Sequence, residues 1–394
     1  MKVLVANLGS TSFKFRLFDM ESEQQLARGG IERIGSERSS WSMEIGEAKL
    51  DGEVPMHDHA VAVRHTLSQL TDADTGCLQS ATEVAAIGFK AVHGGRAGGV
   101  QLVTNEVLEA MEEMNSVAPA HNPPYIAAMR LLSDELPEIP LVAAFETGFH
   151  ETIPKARSYY GIPFEWSEHL GIRRYGFHGA SHRYIAERTA ELAGRADLRV
   201  ISCHLGGSSS LCAIQSGKSI ATTMGMSPQT GMVHNNRVGD FDPYAIPLIA
   251  DHTGMSTNEI LDRLATGGGL LGVSGISGDV RDLDQAAVEL DSRAQLALDV
   301  FVADVRRHLG SMLVALGGVD WLVFTGGIGE HGHKLRSAIC RDLHDLGIQL
   351  DAEANLAASS ESRIDHAESR TEIWVVPTNE EWVVASQTWK LLKE

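Results

Sequence analysis

Short apolar runs separated by turns alternate along this chain with longer segments of helical spacing. Near the start, the apolar run Val3–Val5 is followed by the Gly/Ser turn Gly9–Ser12. The next stretch, Phe13–Leu17, alternates apolar and basic residues, which is the period of a strand with one buried face. The first seventeen residues therefore predict a strand, a turn and a second strand.

A similar passage, RVISCHLGGSSSLCAI, occupies residues 199–214. Its Leu205-Gly206 aligns with Leu8-Gly9, half a chain length earlier. Recurrence of one unit at half-length predicts a duplicated fold, each half offering one loop of phosphate size. Chance similarity of two Gly/Ser hairpins is the alternative.

The remaining pattern predicts further strands and helices. Helical spacing covers Ser181–Ala193 and Asp282–Leu316, short buried runs at Leu322–Phe324 and Trp374–Val376 predict strands, and Gly35–Val54 predicts peripheral strands. Strands that alternate with helices indicate an α/β protein. We predict an N-terminal domain over residues 1–150 and a C-terminal domain over residues 151–394. Packing of the last helix, about residues 380–394, on the first domain stays open.

Composition excludes several classes of protein. Thirty-three Lys and Arg against 52 Asp and Glu give a formal net charge of −19, whereas a nucleic-acid-binding surface needs a basic excess. No apolar stretch reaches the length of a signal peptide's core or a membrane span. The four cysteines form no CxxC pair, so reduced buried thiols are expected. We predict a cytoplasmic protein that binds neither nucleic acid nor membrane.

The 39 glycines give the first indication of chemistry. Three glycine-rich loops, Leu8–Ser12, His204–Ser210 and Thr325–Glu330, each follow an apolar strand, and such turns can present backbone N–H groups to an anion. None matches a P-loop or a dinucleotide fingerprint. Lys14 could reach a phosphate and Asn7 a metal or its water, although each is also an ordinary strand or turn residue.

Histidines and charged residues lie in unusually polar, Gly- or Pro-rich surroundings. The histidines in question are His93, His121, His150, His178, His182 and His204. Together with Arg237 they indicate a site that handles anionic charge. Glu146 at a strand end is a candidate base or orienting group, with loop capping as the alternative. The ligand spacing of a zinc site is missing.

With these motifs in order, the chain resembles the acetate kinase family. The matching segments run in family order from residue 7 to about 381 and are NLGSTSFKFRLFD, VHGG, AHNPP, FETGFH, GIRRYGFHGASH, CHLGGSSS, SIATTMGMSP, RVGDFDP, GVSGISGDVRDL, VFTGGIGEH and VPTNEE.

The resemblance implies a duplicated ribonuclease-H-like (actin-like ATPase) fold with an interdomain cleft, and a homodimer. It also implies a reversible reaction of ATP with acetate that gives acetyl phosphate and ADP, with Mg²⁺, or alternatively Mn²⁺, as the metal. In-line phosphoryl transfer of this kind depends on positioning and charge neutralisation more than on covalent chemistry.

The resemblance also assigns residues to roles. It implies that Asn7 and Glu380 serve the metal, that Lys90 and His121 bind the acyl substrate, and that Glu146, His178 and Arg237 are catalytic. The residues that it assigns to the nucleotide are Lys14, His204, Leu205, Gly206, Gly207, Ser208, Asp279, Val280, Arg281, Gly327, Ile328, Gly329, Glu330 and His331.

Four positions depart from the family pattern. Lys90 replaces a usual arginine, Glu146 an aspartate, and Gly207 and His331 each an asparagine. The first two changes bear on the acyl substrate, because lysine lacks the two-pronged donor of arginine. The last two bear on the phosphoryl donor. Propionate or another short-chain acid, pyrophosphate as donor, and a non-catalytic nucleotide-binding relative therefore remain alternatives.

Overall fold

The computed structural model describes residues 1–9 and 11–393, so Ser10 of the predicted first turn and Glu394 lie outside the described residues. The chain divides into two compact units. The first comprises Met1–Gly148 together with Asn379–Glu394, and the second comprises Phe149–Thr378.

The first unit is built on a mixed sheet in the order β5-β4-β3-β2-β1-β6-β8-β7. Its strands are β1 (Lys2–Leu8), β2 (Ser12–Asp19), β3 (Gln24–Glu32), β4 (Ser39–Ile45), β5 (Ala48–Val54), β6 (Val84–Ala91), β7 (Val100–Leu102) and β8 (Leu141–Phe145). The helices that follow along this part of the chain are α1 (His59–Leu70), α2 (Asn105–Glu112) and α3 (Asn122–Glu135).

The second unit contains a smaller mixed sheet in the order β11-β10-β9-β12-β14-β13. Its strands are β9 (Arg199–His204), β10 (Ser210–Gln215), β11 (Lys218–Thr222), β12 (Trp321–Thr325), β13 (Ser362–Arg363) and β14 (Glu372–Val375). Its helices are α4 (Lys155–Ser158), α5 (Phe164–Leu170), α6 (Gly179–Ala193), α7 (Ala245–Thr253), α8 (Thr257–Thr266), α9 (Gly269–Ser274), α10 (Val280–Val288), α11 (Ser292–Leu316), α12 (Gly326–His331), α13 (His333–Cys340) and α14 (Ala352–Ala357).

The two sheets share one topology. In the first, β1 pairs antiparallel with β2 and parallel with β6, and β6 pairs parallel with β8. In the second, β9 pairs antiparallel with β10 and parallel with β12, and β12 pairs parallel with β14. This correspondence agrees with the duplication that the repeated hairpin predicts, and the predicted α/β class is confirmed.

The last helix, α15 (Glu380–Lys393), belongs to the first unit, although the chain reaches it only after completing the second. It buries Val383, Val384 and Ala385 in a cluster with Val3 and Val5 of β1. The other face of the sheet holds a larger core with residues of α1 and α3. Both faces of the central strands are therefore covered, which explains why β1 reads as a continuous apolar run.

Two predicted elements differ from the structure. The single helix predicted over Asp282–Leu316 is two helices, because Leu290 adopts a positive φ of 67° and Asp291 caps α11 by accepting hydrogen bonds from the N–H groups of Arg293 and Ala294. The predicted loop over Thr325–Glu330 is mostly helical. Gly326, at φ +76°, lets the chain turn from β12 directly into α12.

None of the helices within residues 1–9 and 11–393 combines the length and the apolar character needed to cross a membrane.

Gly88 of β6 is the point at which α15 lies closest to the sheet. A Cβ atom there would clash with Oγ1 of Thr388 and lie 3.1 Å from Cγ1 of Val384. We expect Gly88→Ala to destabilise the protein by about 1–3 kcal/mol, because the added methyl group overpacks this contact. Thermal unfolding should show a midpoint lower by several degrees, and Thr388→Ala in the same chain should restore part of the loss.

The matched control is Gly310→Ala. Gly310 lies inside α11 with nothing within 4 Å of its added Cβ, so the same change should stabilise the helix by up to about 1 kcal/mol. Equal midpoints for the two variants would contradict close packing of α15 on β6.

Candidate active site

In the first unit, three predicted site residues lie at the carboxyl ends of neighbouring parallel strands. Asn7 is near the end of β1, Lys90 near the end of β6, and Glu146 directly after β8. The parallel pairing of β1 with β6 and of β6 with β8 brings these ends to one edge of the sheet. This edge is where open α/β sheets bind ligands.

Lys90 forms an ion pair with the first residue of α15. Its Nζ lies 2.6 Å from Oε2 of Glu380, and the two side chains are 24% and 13% exposed. Burial acts to lower the pKa of Lys90, but the negative charges of Glu380 and Glu146 outweigh burial and raise that pKa above its ordinary value. Lys90 is therefore a fixed positive charge between two carboxylates.

Asn7 is held by Tyr125, a residue that sequence reasoning missed. The Tyr125 hydroxyl donates a hydrogen bond to Oδ1 of Asn7 at 3.0 Å and accepts one from the N–H of Leu8 at 3.2 Å. The ring is buried in the core of the first unit. Tyr125 thus orients the Asn7 amide at the start of the first glycine loop. A tyrosine directly after AHNPP gives no sign of this role, because the contact spans more than a hundred residues of sequence.

Asn7 and Lys14 are direct cross-strand partners on β1 and β2. Both line a groove of about 670 Å³ in the first unit, together with Arg16, Trp41 and Glu381. The structure therefore brings the predicted metal residue and the predicted phosphate lysine to one surface.

His121 immediately precedes α3. Its neighbour Asn122 is fully buried and donates from Nδ2 to the carbonyl oxygens of His93 and Met111, each at 2.8 Å. These bonds tie the VHGG loop to the beginning of α3. The AHNPP and VHGG motifs are thus parts of one local structure.

The donor set of the first unit suits magnesium. The Asn7 amide and the Glu380 carboxylate supply hard oxygen atoms, and Mg²⁺ is usually bound through one or two carboxylates, several waters and substrate phosphates. No cluster of three or more His, Cys, Asp or Glu side chains able to hold a metal occurs within residues 1–9 and 11–393. A metal that depends on substrate oxygens needs no such cluster.

In the second unit, two of the predicted nucleotide loops are bonded to each other. The carbonyl oxygen of Leu205 accepts hydrogen bonds from the N–H groups of Ile328 at 2.9 Å and Gly329 at 3.0 Å. The N–H of Leu205 donates in turn to the carbonyl of Thr325. A Cβ on Gly326 would lie 2.7 Å from that Leu205 oxygen, so glycine is required for this approach.

Asn235 connects the remaining nucleotide segments. The N–H of Asn235 donates to the carbonyl of Gly207 at 3.1 Å. A Cβ on Gly278 would lie 2.6 Å from the carbonyl oxygen of Asn235. Gly278 precedes Asp279, whose carboxylate caps α10 and pairs with the exposed Arg281. This pairing lowers the pKa of Asp279 to about 2. The loop that contains Asn235 therefore contacts segments 205–208 and 278–281, and Leu205 connects the first of these to segment 326–331.

Arg237 lies on that same loop, where its Nη1 donates to the carbonyl of Pro228 at 2.8 Å. Burial lowers the pKa of its guanidinium, yet arginine remains charged at physiological pH because its ordinary pKa is so high. The backbone of Arg237 packs directly on Gly269, where a Cβ would clash with the carbonyl oxygen of His234.

His178, His182 and His204 form a cluster at the start of α6. The rings of His178 and His204 stack with centroids 4.2 Å apart, and those of His178 and His182 lie 6.4 Å apart. His178 occupies the N-cap position of α6 with a positive φ of 56°, an unusual conformation for a residue other than glycine and one that often marks a functional position. Of this cluster, the sequence resemblance assigned roles to His178 and His204 but not to His182.

Two further histidines are deeply buried. Desolvation lowers the pKa of His150 to about 4 and that of His234 to about 3. His234 Nδ1 accepts a hydrogen bond from the N–H of Ser209, while its Nε2 faces the carbonyl of Thr230. Both histidines are therefore neutral at physiological pH and act as fixed hydrogen-bonding groups.

Two sheets of one topology, each with polar groups and glycine loops at the carboxyl ends of its parallel strands, form the duplicated α/β fold that the resemblance to acetate kinases implies. The chain belongs to the Acetokinase family, which it matches over residues 2–386. It is 42% identical over 392 residues to the acetate kinase of Clostridium kluyveri, covering 98% of this chain and 97% of that protein.

Solved structures agree with this assignment. The acetate kinase of Porphyromonas gingivalis is 36% identical with a TM-score of 0.90, covering 99% of both chains. A propionate kinase from Francisella tularensis subsp. tularensis is 34% identical, also with a TM-score of 0.90, over 98% of both chains. The predicted family, the fold class and the enzyme class, a phosphotransferase with a carboxyl acceptor, are confirmed.

The buried neutral histidines predict how stability depends on pH. Below about pH 6.5 the unfolded chain binds a proton at His150 and at His234 that the folded chain does not bind. The free energy of unfolding should therefore fall on acidification, by about 1.4 kcal/mol per pH unit for each histidine, until pH about 4 for His150 and about 3 for His234.

Urea unfolding of the wild type, His150→Asn and His234→Asn at several values between pH 6.5 and 5 measures this slope. In each variant the free energy of unfolding should depend less steeply on pH than in the wild type. Identical slopes in all three proteins would show that these two histidines are not held neutral in the folded state.

Proposed function

We propose that this protein is a cytoplasmic, homodimeric acetate kinase that catalyses the reversible, Mg²⁺-dependent transfer of a phosphoryl group from ATP to acetate. Full-length similarity to acetate kinases supports the reaction. The four cysteines, all free thiols, are in keeping with a reducing compartment.

The observation that carries the proposal is the charged cluster at the sheet edge of the first unit. A half-buried ammonium, Lys90, is held at 2.6 Å by Glu380, and its raised pKa reflects the charges of Glu380 and Glu146. Next to these strand ends, Tyr125 fixes the amide oxygen of Asn7. A carboxylate substrate and a magnesium-bound phosphate need this combination of one cation with several oxygen donors.

The chemical step needs little help from a base. A carboxylate oxygen of acetate attacks the γ-phosphorus of ATP, a new phosphorus–oxygen bond forms, and the bond to the bridging oxygen of ADP breaks. Acetate is already ionised near neutral pH, so no proton has to be removed. The protein's contribution is to position the reactants and to compensate negative charge.

The residues of the chain divide these tasks. We assign Lys90 and His121 to the acetate carboxylate, and His178 and Arg237 to the charge on the transferring phosphoryl group. Glu146 is assigned to orienting the groups around Lys90. The linked segments 204–208, 279–281 and 327–331 are assigned to the nucleotide. Lys14 is assigned to a phosphate group.

Asn7 and Glu380 are the residues assigned to Mg²⁺, which Mn²⁺ can replace in sites of this kind. When bound, the metal neutralises charge on phosphate oxygens. The Glu380 carboxylate already carries an ion pair with Lys90, so one residue links the acyl-binding lysine to the metal-binding position.

The identity of the acid and of the donor is the second question. The similarity to a propionate kinase makes propionate the main alternative acid. Lys90 offers acetate one point charge rather than a bidentate guanidinium. At the nucleotide loops, Gly207 and His331 replace amide side chains of the family pattern, which leaves pyrophosphate as the alternative donor.

A hydroxamate assay decides between these possibilities. Purified protein is incubated with acetate, propionate or butyrate, each with ATP or pyrophosphate. We expect the highest kcat/KM for acetate with ATP, and a loss of about 10²-fold in kcat for Glu380→Gln, which removes charge beside Lys90 and the metal position.

The control is Glu135→Gln, which changes an exposed carboxylate of the same unit that pairs with Arg64 and should keep most of the activity. Acyl hydroxamate from no pair of substrates, with protein shown to be folded, would contradict the proposed function. A higher kcat/KM with propionate than with acetate would make propionate the proposed acid. A higher kcat/KM with pyrophosphate than with ATP would make pyrophosphate the proposed donor.

The proposed homodimer draws support from α7. This helix buries none of its side chains, and it begins directly after Tyr244, which is 87% exposed, while Leu248 within it is 71% exposed. Exposed apolar side chains concentrated on one surface are typical of subunit interfaces.

We expect the wild type to have twice the 42.6 kDa chain mass in light scattering after gel filtration, and Leu248→Arg to shift it towards the monomer. Leu102→Arg, which alters an exposed leucine of the first unit, is the control and should stay dimeric. A monomeric wild type, or the same mass for both variants, would contradict the assignment of α7 to the interface.

A further inference from the structure

Four side chains of the second unit form one continuous line of hydrogen bonds that ends at His178. Oγ of Ser202 lies 2.9 Å from Nδ1 of His182, and Nε2 of His182 lies 2.8 Å from Oγ of Ser210. The same Ser210 oxygen lies 2.8 Å from Nδ1 of His178. Ser202, His182 and Ser210 are fully buried.

The fold explains this alignment. Ser202 and His204 are two residues apart on β9 and face the same side of the sheet, and Ser210 of β10 is the direct partner of His204. His178 and His182 are four residues apart at the start of α6, so they project from one side of that helix. Both serines thus face the two histidines.

The direction of the bonds follows from the hydroxyl of Ser202. Among the residues that the structure describes, its oxygen has one hydrogen-bond partner, Nδ1 of His182. A serine hydroxyl always carries a hydrogen, and a buried hydrogen without an acceptor is costly. Ser202 therefore donates to His182 Nδ1, which must be the unprotonated nitrogen.

The directions of the remaining hydrogen bonds then follow. Burial, together with the nearby rings of His150 and His204, keeps the pKa of His182 well below its ordinary value, so this ring is neutral and carries its one proton on Nε2. That N–H donates to Ser210, and the Ser210 hydroxyl donates to Nδ1 of His178. The remaining proton of a neutral His178 must then lie on Nε2.

We propose that Ser202, His182 and Ser210 are positioning residues that fix His178 as the neutral tautomer with its proton on Nε2. This inference rests on the proposed function for its catalytic meaning: His178 then donates a hydrogen bond to the phosphoryl oxygens as their charge grows. The donor is in place before reaction and requires no proton from solvent, which is the arrangement that stabilises a transition state most effectively.

The titratable groups packed nearest to His178 are other histidines. His204 of β9 stacks on it. The ring of His150, in the 3₁₀ turn Gly148–Thr152, has its centroid 5.7 Å from that of His182. Arg183, also on α6, contributes a positive charge near His150 and interacts with the carboxylates of Glu151 and Glu187. A second proton on His178 would lie on Nδ1 and would leave the Ser210 hydroxyl, which already accepts a hydrogen bond from His182, without its acceptor.

The direct test is ¹⁵N NMR of the folded protein labelled at histidine, with the His178 signals identified by their loss in His178→Asn. We expect a pyrrole-type shift for Nε2 and a pyridine-type shift for Nδ1 of His178 between pH 6 and 8. A protonated Nδ1 would overturn the inference. The measurement needs no turnover, so its outcome is independent of whether the protein is an active kinase.

Kinetics of Ser202→Ala provide a second test, because Ser202 does not touch His178. Without the terminal donor the tautomer is no longer fixed, so kcat for acyl phosphate formation should fall about tenfold with unchanged KM values for both substrates. Ser202→Thr, which retains the hydroxyl, should restore kcat.

The matched control is Ser219→Ala. Ser219 is an equally buried serine, 2.9 Å from Nδ1 of His150, and is bonded to neither His182 nor His178. Equal kcat values for Ser202→Ala and Ser219→Ala would overturn the inference, as would a Ser202→Ala enzyme in which the His178 ¹⁵N shifts are unchanged.

Discussion

The ion pair between Lys90 and Glu380 ties the end of the chain to the central strands of the first unit. It joins a residue near the carboxyl end of β6 to the first residue of α15. Behind it, Val384 and Ala385 cover the face of the sheet formed by Val3 and Val5. The first unit thus acquires a complete core only when the last residues of the chain have folded. The same two charged groups lie at the sheet edge to which we assign the acyl group and the metal.

Under the proposed function, the two units bind anions through different kinds of groups. The edge of the first sheet uses full charges, with Lys90 held between carboxylates so that its position is fixed. The corresponding edge of the second sheet uses closely bonded glycine loops and neutral imidazoles, whose protons are placed by serine hydroxyls and backbone groups. With a net charge of −19, the protein must attract phosphates through such local groups, because its overall charge repels them.

Much of this architecture was predictable from local sequence patterns. The apolar runs and Gly/Ser turns predicted the strands β1, β2, β9 and β10, and the repeated hairpin predicted that the two sheets correspond. The motifs also predicted the family. The break between α10 and α11 was missed because helical spacing continues across it, and only the left-handed conformation of Leu290 and the cap by Asp291 end the first helix.

The least predictable features depend on contacts between distant parts of the chain. Tyr125 reaches Asn7, and Glu380 reaches Lys90, across more than a hundred and almost three hundred residues respectively. The local motifs assigned Asn7, Lys90 and Glu380 to the site, but they gave no sign of the role of Tyr125 or of the pairing of Glu380 with Lys90. Ser202 did carry a weak local signal. A serine two residues before His204 places a polar group on the buried face of a strand, where an apolar residue would be expected.

The most direct test of the central claim, transfer of a phosphoryl group to a carboxylate, is ³¹P NMR of the purified protein with ATP, Mg²⁺ and acetate labelled with ¹⁸O in both oxygens. We predict an acyl phosphate resonance with the isotope shift of one bridging ¹⁸O, in step with the appearance of ADP. An acyl phosphate resonance without that shift, or none from folded protein, would contradict attack by the substrate carboxylate.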